Sequence, residues 1–157
     1  MYIHLLFMPI PRHLPDLPCM CASFRRASRT LTQLYDKALR PLGLRATQFT
    51  ILQALSRTGE ISQGELGRIL AIDSTTLTRT LRIMVREGWI ADRSGQDRRE
   101  RLLRLAKDGR HQFNRALPLW EKAQLQLRHQ LGNKRWHDLV KLINETTNLT
   151  TNQGDLS

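Results

Sequence analysis

The chain of 157 residues carries a formal charge of +11, from 25 Lys and Arg against 14 Asp and Glu, with 40% apolar and 6% aromatic residues. That length allows one domain, or one domain with a dimerisation extension, and no apolar run is long enough to span a bilayer. Arginine dominates the excess, and its planar fork suits phosphates and guanine edges, although charge alone fits a basic solvated surface equally well.

Met1 to Met8 is apolar but lacks the basic start and small-residue cleavage site of a signal peptide. Pro9, Pro11, Pro15 and Pro18 keep residues 9–18 out of a helix. Residues 1–18 are therefore expected to be a disordered arm, or an artefact of an upstream start site with initiation at Met8 or Met20. The compartment inferred is the cytoplasm, where Cys19 and Cys21 would be reduced.

From Ala22, the residues Phe24, Ala27, Leu31, Leu34 and Ala38 recur every three or four positions, the stripe of an amphipathic helix that Pro41 and Gly43 stop. A second helix is predicted over 46–57, burying Phe49, Leu52 and Leu55. Ser62-Gln63-Gly64-Glu65 has the form of a capping box and opens a third helix through Leu70. Ala71 and Ile72 make a brief turn, and Asp73 is the N-cap of a fourth helix to about Glu87. That helix points Leu77, Leu81, Met84 and Val85 inward and ends with Gly88 at C′. Two helices joined by so short a turn form a helix-turn-helix.

Next come two short segments of β character flanking a polar loop, within Trp89 to Gln96 and Asp97 to Leu105, of which Arg101 to Leu105 alternates cleanly only from Leu103. The loop tip sets Arg98 and Arg99 beside Asp97. Such a tip is narrow enough to enter a DNA minor groove, where arginine senses groove width and potential. Charge concentrates in this part of the chain: residues 68–110 hold eleven Arg or Lys and six Asp or Glu, residues 111–157 six and four. A long helix follows over 107–130, with Phe113, Leu117, Trp120, Leu127 and Leu131 at helical spacing and a kink or break at Pro118. Gly132-Asn133 turn the chain into a last helix over 134–148, and residues 149–157 read as a flexible tail.

Ser74, Thr75, Thr76, Thr78, Arg79 and Arg82 fall on the outer side of the fourth helix. Short hydroxyls near a helix N-terminus reach phosphates or base edges, and Arg79 can donate twice to a guanine; as plain helix residues they would be only caps and solvated positions. The pattern is mainly α with a small β-wing: a winged helix-turn-helix over 19–148, its DNA-binding part at about 46–106, with N- and C-terminal dimerisation helices. Trp120, Leu127, Leu131, Trp136, Leu139 and Leu142 offer either a dimer surface or an intrachain core.

The run Asp97-x-Arg99-x3-Leu103-x-Leu105-x3-Gly109 resembles the wing motif of the MarR (multiple-antibiotic-resistance repressor) family. Asp73 to Arg79 and Gly88-Trp89-Ile90 resemble that family's recognition helix and wing entry, so that the likeness covers about residues 22–148. It implies that Asp97 braces the wing, that Arg99 enters the minor groove, and that the chain is an obligate homodimer built from the first helix and the last two. It implies double-stranded DNA as partner, with half-sites of a palindrome about 10 bp apart. Where the family has a capping Thr, this chain has Ala106, a loss of about 1 kcal/mol unless Asp108 caps instead and shifts the helix start.

The family's hydroperoxide-sensing branch carries a cysteine in a region similar to that of Cys19 and Cys21. The alternatives are two ordinary thiols, or a zinc site with His4 and His13 at irregular spacing. Two cysteines so close in sequence would strain to bond each other, which favours a bond across the dimer on oxidation. A small-molecule effector of the family's kind would sit near Leu34, Phe49 and Phe113, which core packing explains equally well. Neither a cofactor nor a metal is called for, and no phosphate loop, HExxH pattern or nucleophile elbow marks an enzyme. A non-specific architectural nucleic-acid binder is the competing reading.

Overall fold

The computed structural model describes residue 16 and residues 18–97 and 99–154, with side chains through residue 149. Among these, six α-helices and three strands follow one another: α1 (Met20–Leu39), α2 (Ala46–Thr58), β1 (Ile61–Ser62), α3 (Gln63–Leu70), α4 (Ser74–Arg86), β2 (Ile90–Ser94), β3 (Arg101–Leu105), α5 (Lys107–Leu131) and α6 (Asn133–Gly154). The chain divides after Gln33 into two units. In the first, the N-terminal turns of α1 leave Phe24 and Ala27 exposed and Leu31 half-buried.

In the second unit α1 ends at the buried Leu39 and passes into a single 3-10 turn, Arg40–Leu42. Gly43 closes that turn at φ 67°, where a side chain would be strained. Asp36 then serves the next helix: one carboxylate oxygen accepts the Ala46 N–H at 2.7 Å, and the other pairs with Arg45 at 3.2 Å. An orphan donor at the start of α2 is thereby satisfied from outside the helix. Phe49, Ile51, Leu52 and Leu55 of α2 are buried. They meet Leu66, Leu77, Leu81, Met84, Ile90, Leu103 and Ala116 in one core, where each large aliphatic side chain contributes about 1.5–3 kcal/mol through burial.

The helix-turn-helix is built by local caps. The Ser62 hydroxyl accepts the Glu65 N–H at 3.1 Å to open α3, and the Asp73 carboxylate accepts the Thr76 N–H at 2.8 Å to open α4. Between them Ala71 takes a left-handed conformation at φ 50°, a cost of about 1 kcal/mol for an L residue. The turn tolerates this because the N–H groups of Ala71 and Ile72 bond back to the carbonyls of Arg68 and Gly67.

Sequence periodicity missed β1, which is only two residues long. It pairs antiparallel with β3, Ile61 opposite Leu103 and Ser62 opposite Leu102, and β2 pairs on the other side of β3 from Ile90–Leu105 to Ser94–Arg101. The sheet order is therefore β1-β3-β2, with the fully buried Leu103 on the central strand.

Three points that the sequence left open in the C-terminal helices are resolved by the structure. Helix α5 runs through Pro118 without a break. The carbonyl that Pro118 cannot reach belongs to Asn114, and both residues are exposed, so water can serve it. The start of α5 does not shift toward Asp108: Ala106 is the N-cap with no side-chain bond, and its own N–H donates to the Trp89 carbonyl at 3.0 Å. Trp120 turns inward, not out toward a partner; its ring stacks on Phe49 at 5.5 Å, and Phe113 stacks on Phe49 at the same distance. Phe49 and Phe113 are thus committed to the core, while Leu34 stays 37% exposed.

Further links tie α5 to the first part of the unit: the Gln112 amide donates to the Leu42 carbonyl at 2.8 Å, and the Tyr35 hydroxyl donates to Gln124. Burial pushes the Tyr35 phenol above its ordinary pKa. Helix α6 continues to Gly154 rather than ending near Asn148, and within it the Thr146 and Thr147 hydroxyls bond to carbonyls four residues back. Its apolar residues Leu139, Val140, Leu142 and Ile143 are all exposed. Among the described residues, no buried side-chain polar atom lacks a partner.

Candidate nucleic-acid interface

Helix α4 sorts its side chains by face. Leu77, Leu81 and Met84 anchor it in the core, which leaves Ser74, Thr75, Thr76, Arg79 and Arg82 exposed on the other side. The Asp73 carboxyl is held below its usual range by hydrogen bonds from Thr76, the hydroxyl first and then the backbone N–H. Thr76 is thereby committed to the cap. Thr78 is half-buried, and its hydroxyl accepts from the Gln63 amide at 2.9 Å. Of the hydroxyls singled out from the sequence, Ser74 and Thr75 are the ones presented outward at the helix start.

Strands β2 and β3 project the wing, and Ser94–Arg101 is its last ladder pair. Beyond it the tip is folded by three hydrogen bonds. Gly95 N–H donates to the Glu100 carbonyl at 2.8 Å, and Glu100 N–H donates to the Asp97 carbonyl at 2.9 Å. The third runs from Arg99 N–H to the Asp97 carboxylate, also at 2.9 Å. Asp97 therefore accepts with both backbone and side chain, an Asx-type turn, and Arg99 is left exposed at the end of it. Arg98 lies outside the described residues.

Charge counting on the sequence could not tell which arginines are already neutralised. Arg93 pairs with Glu60 at 2.5 Å and Arg101 with Asp92 at 2.8 Å. The Arg93 contact holds the Glu60 carboxyl below its usual range, and Glu60 in turn raises Arg93. Among the described residues, Arg79, Arg82 and Arg99 have no acidic partner within 4 Å. Of the arginines that the sequence singled out, Arg79 and Arg82 on the exposed face of α4 and Arg99 at the wing tip are thus left for an outside anion. The start of α4 and the wing tip border one open cleft of about 970 Å³, lined among others by Arg68, Ser74, Thr78, Arg99 and Arg101.

Two residues of this site were missed by sequence reasoning. Gln63 was read only as the interior of a capping box, and Arg101 only as a strand residue; neither position carries a local signal for the cross-element bonds they make.

Cys19 and Cys21 are free thiols and exposed. His4 and His13, the other members of the weighed zinc set, lie outside the described residues, and among those described no three His, Cys, Asp or Glu side chains are grouped to hold a metal. No described helix is long and apolar enough to cross a membrane.

Residues 42–100 match a family model described as the MarR family. An uncharacterised helix-turn-helix-type transcriptional regulator of Bacillus subtilis, YwoH, is 30% identical over 88 residues, which are 56% of this chain and 64% of that protein. The multiple antibiotic resistance protein MarR of Salmonella typhimurium is 36% identical over 78 residues, 49% of this chain and 54% of that protein. The matched segment thus spans a little over half to just under two thirds of these curated relatives. The crystal structure of the Mycobacterium tuberculosis transcriptional regulator MosR in complex with DNA superposes with a TM-score of 0.72 at 34% identity. That match covers 83% of this chain and 98% of MosR.

Proposed function

Since the chain belongs to the MarR family, we propose that it is a sequence-specific DNA-binding transcriptional regulator, not an enzyme, acting as a homodimer on a palindromic operator in the cytoplasm. The observation that carries this reading is the sorting of arginines: Arg93 and Arg101 are paired with acids, whereas Arg79, Arg82 and Arg99 are not. Arg79 and Arg82 sit on the outer face of a helix-turn-helix, and Arg99 sits on the tip of a braced hairpin, where it lines a cleft shared with the start of α4.

In this mechanism α4 enters the major groove. Ser74 and Thr75 meet phosphates or base edges at its start, Thr76 and Thr78 line the approach, and Arg79 and Arg82 reach bases or backbone one and two turns on. Arg99, with Arg98 beside it, enters the adjacent minor groove, and Asp97 holds the turn that presents it. The DNA-binding part spans about residues 46–106. The dimer is formed by α1, α5 and α6, a reading supported by the exposed Leu139, Leu142 and Ile143. Two-fold symmetry then sets half-sites about 10 bp apart. Control comes from a small-molecule effector or from oxidation of Cys19 or Cys21, whose exposed thiols are accessible to oxidant.

Selection from a random duplex library tests this directly. The expected result is a short palindrome, to which Arg99→Ala binds about 10- to 100-fold more weakly. A set of duplexes without common spacing, bound with a steep salt dependence and little sequence discrimination, would overturn it in favour of non-specific architectural binding. Repeating the measurement with peroxide and then reductant tests the thiols.

A further inference from the structure

A chain of side-chain hydrogen bonds crosses from α4 to the wing. The Gln63 amide donates from its Nε2 to the Thr78 Oγ1 at 2.9 Å and accepts at its Oε1 from the Arg101 Nη1 at 3.3 Å. Arg101 Nε donates in turn to the Asp92 carboxylate at 2.8 Å. Four residues from α4, α3, β3 and β2 are joined in this way, and the amide of Gln63 both gives and accepts between helix and hairpin. Arg101 stands at the last ladder pair before the tip, opposite Ser94. The bond to Gln63 thus grips the wing at its base.

We propose that Gln63 is a positioning residue that fixes the wing relative to helix α4, and so sets where Arg99 falls when α4 is seated on DNA. The proposal rests on the DNA-binding reading above. Its physical basis is a lever. The tip extends about three residues, or about 10 Å, beyond the Ser94–Arg101 pair, so a tilt of about 15° at the base moves the tip by about 2.5 Å. A minor groove is only about 6 Å wide, so that displacement is enough to misplace an inserted guanidinium. Arg101 has a purpose here other than phosphate contact: its charge is met by Asp92, and its remaining reach is directed to the Gln63 carbonyl. Thr78 likewise serves as an acceptor for Gln63 as well as a candidate contact.

Two measurements decide the matter, one of them without DNA. In the full-length protein, Gln63→Met keeps the side-chain length and removes both bonds. Amide hydrogen exchange of residues 94–101 is expected to accelerate about fivefold, the effect of one lost hydrogen bond on a local opening, with exchange in α5 unchanged. Gln63→Glu retains the acceptor for Arg101 and can accept from the Thr78 hydroxyl, so it should restore slow exchange. On a duplex from the selection, Gln63→Met should bind about tenfold more weakly, and Arg99→Ala added to it should cost far less than it does alone. Unchanged exchange in Gln63→Met, or costs of the two substitutions that simply multiply, would overturn the coupling. If the wild type discriminates no duplex, it is the DNA-binding reading that fails, and the exchange arm still decides whether Gln63 holds the wing.

Discussion

Gly109 offers the sharpest quantitative test of how the wing is joined to α5. A Cβ placed on it would lie 1.9 Å from the Trp89 carbonyl oxygen and 2.7 Å from the carbonyl carbon, both backbone atoms. Ordinary contact begins near 3.2–3.4 Å, so Gly109→Ala must open the junction between α5 and the wing entry by more than 1 Å. The Ala106 N–H to Trp89 carbonyl bond at 3.0 Å lies on the same junction and would be lengthened or lost. Overpacking of this kind costs about 1–3 kcal/mol and the lost bond about 1 kcal/mol, while replacing a helical glycine by alanine returns about 1 kcal/mol. The net expectation is a destabilisation of about 1–3 kcal/mol. Gly64 is the internal control, since it too lies in a helix but has nothing within 4 Å of its position; Gly64→Ala should stabilise by about 0.5–1 kcal/mol. Urea unfolding of both variants and wild type at one fixed protein concentration reads the two signs. A Gly109→Ala variant as stable as Gly64→Ala would refute the reasoning, because it would mean that the junction yields freely.

Ala106→Thr should stabilise by about 1 kcal/mol, measured by the same urea unfolding, since the N-cap backbone is already extended and lacks only a side-chain acceptor. Ala71→Gly should add about 0.5–1 kcal/mol by relieving the left-handed alanine in the helix-turn-helix, with duplex affinity retained. The Glu60–Arg93 pair makes a pH signature: because folding lowers the Glu60 pKa, its contribution is present above the ordinary carboxylate range and lost as pH falls through the lowered value. Glu60→Gln should therefore narrow its stability gap to wild type in acid, and a gap constant from pH 7 to pH 3 would count against the pair. Leu139→Glu with Ile143→Glu on exposed α6 should shift sedimentation from dimer to monomer while leaving helix content by circular dichroism unchanged.

Local chemistry made much of this fold legible. Ser62 and Asp73 announce helix starts, and Gly43 and Gly88 announce ends, because a cap depends on three or four neighbouring residues. What required distance in sequence was invisible. The two-residue β1 exists only because Ile61 finds Leu103. Trp120 repeats at helical spacing whether it faces Phe49 or a partner, so periodicity alone could not choose between them. At the candidate site the exposed face of α4 could be anticipated from residue type and spacing, whereas the bracing role of Asp97 was implied only by the resemblance of its motif to the MarR wing. The pairing of Arg101 with Asp92, the involvement of Thr78 with Gln63 and the neutralisation of Arg93 by Glu60 could not be anticipated, since each joins side chains on different elements.

The central place of β3 has a consequence for how the molecule assembles. Pairing of Ile61 with Leu103 closes the chain into a loop that contains all of α3, α4 and β2. That closure carries an entropic cost before it returns any contact, so the helix-turn-helix and the hairpin have little reason to form one without the other. Opening at β3 releases both at once. The two parts proposed to face DNA then behave as a single cooperative unit, which a perturbation at either end loosens as a whole.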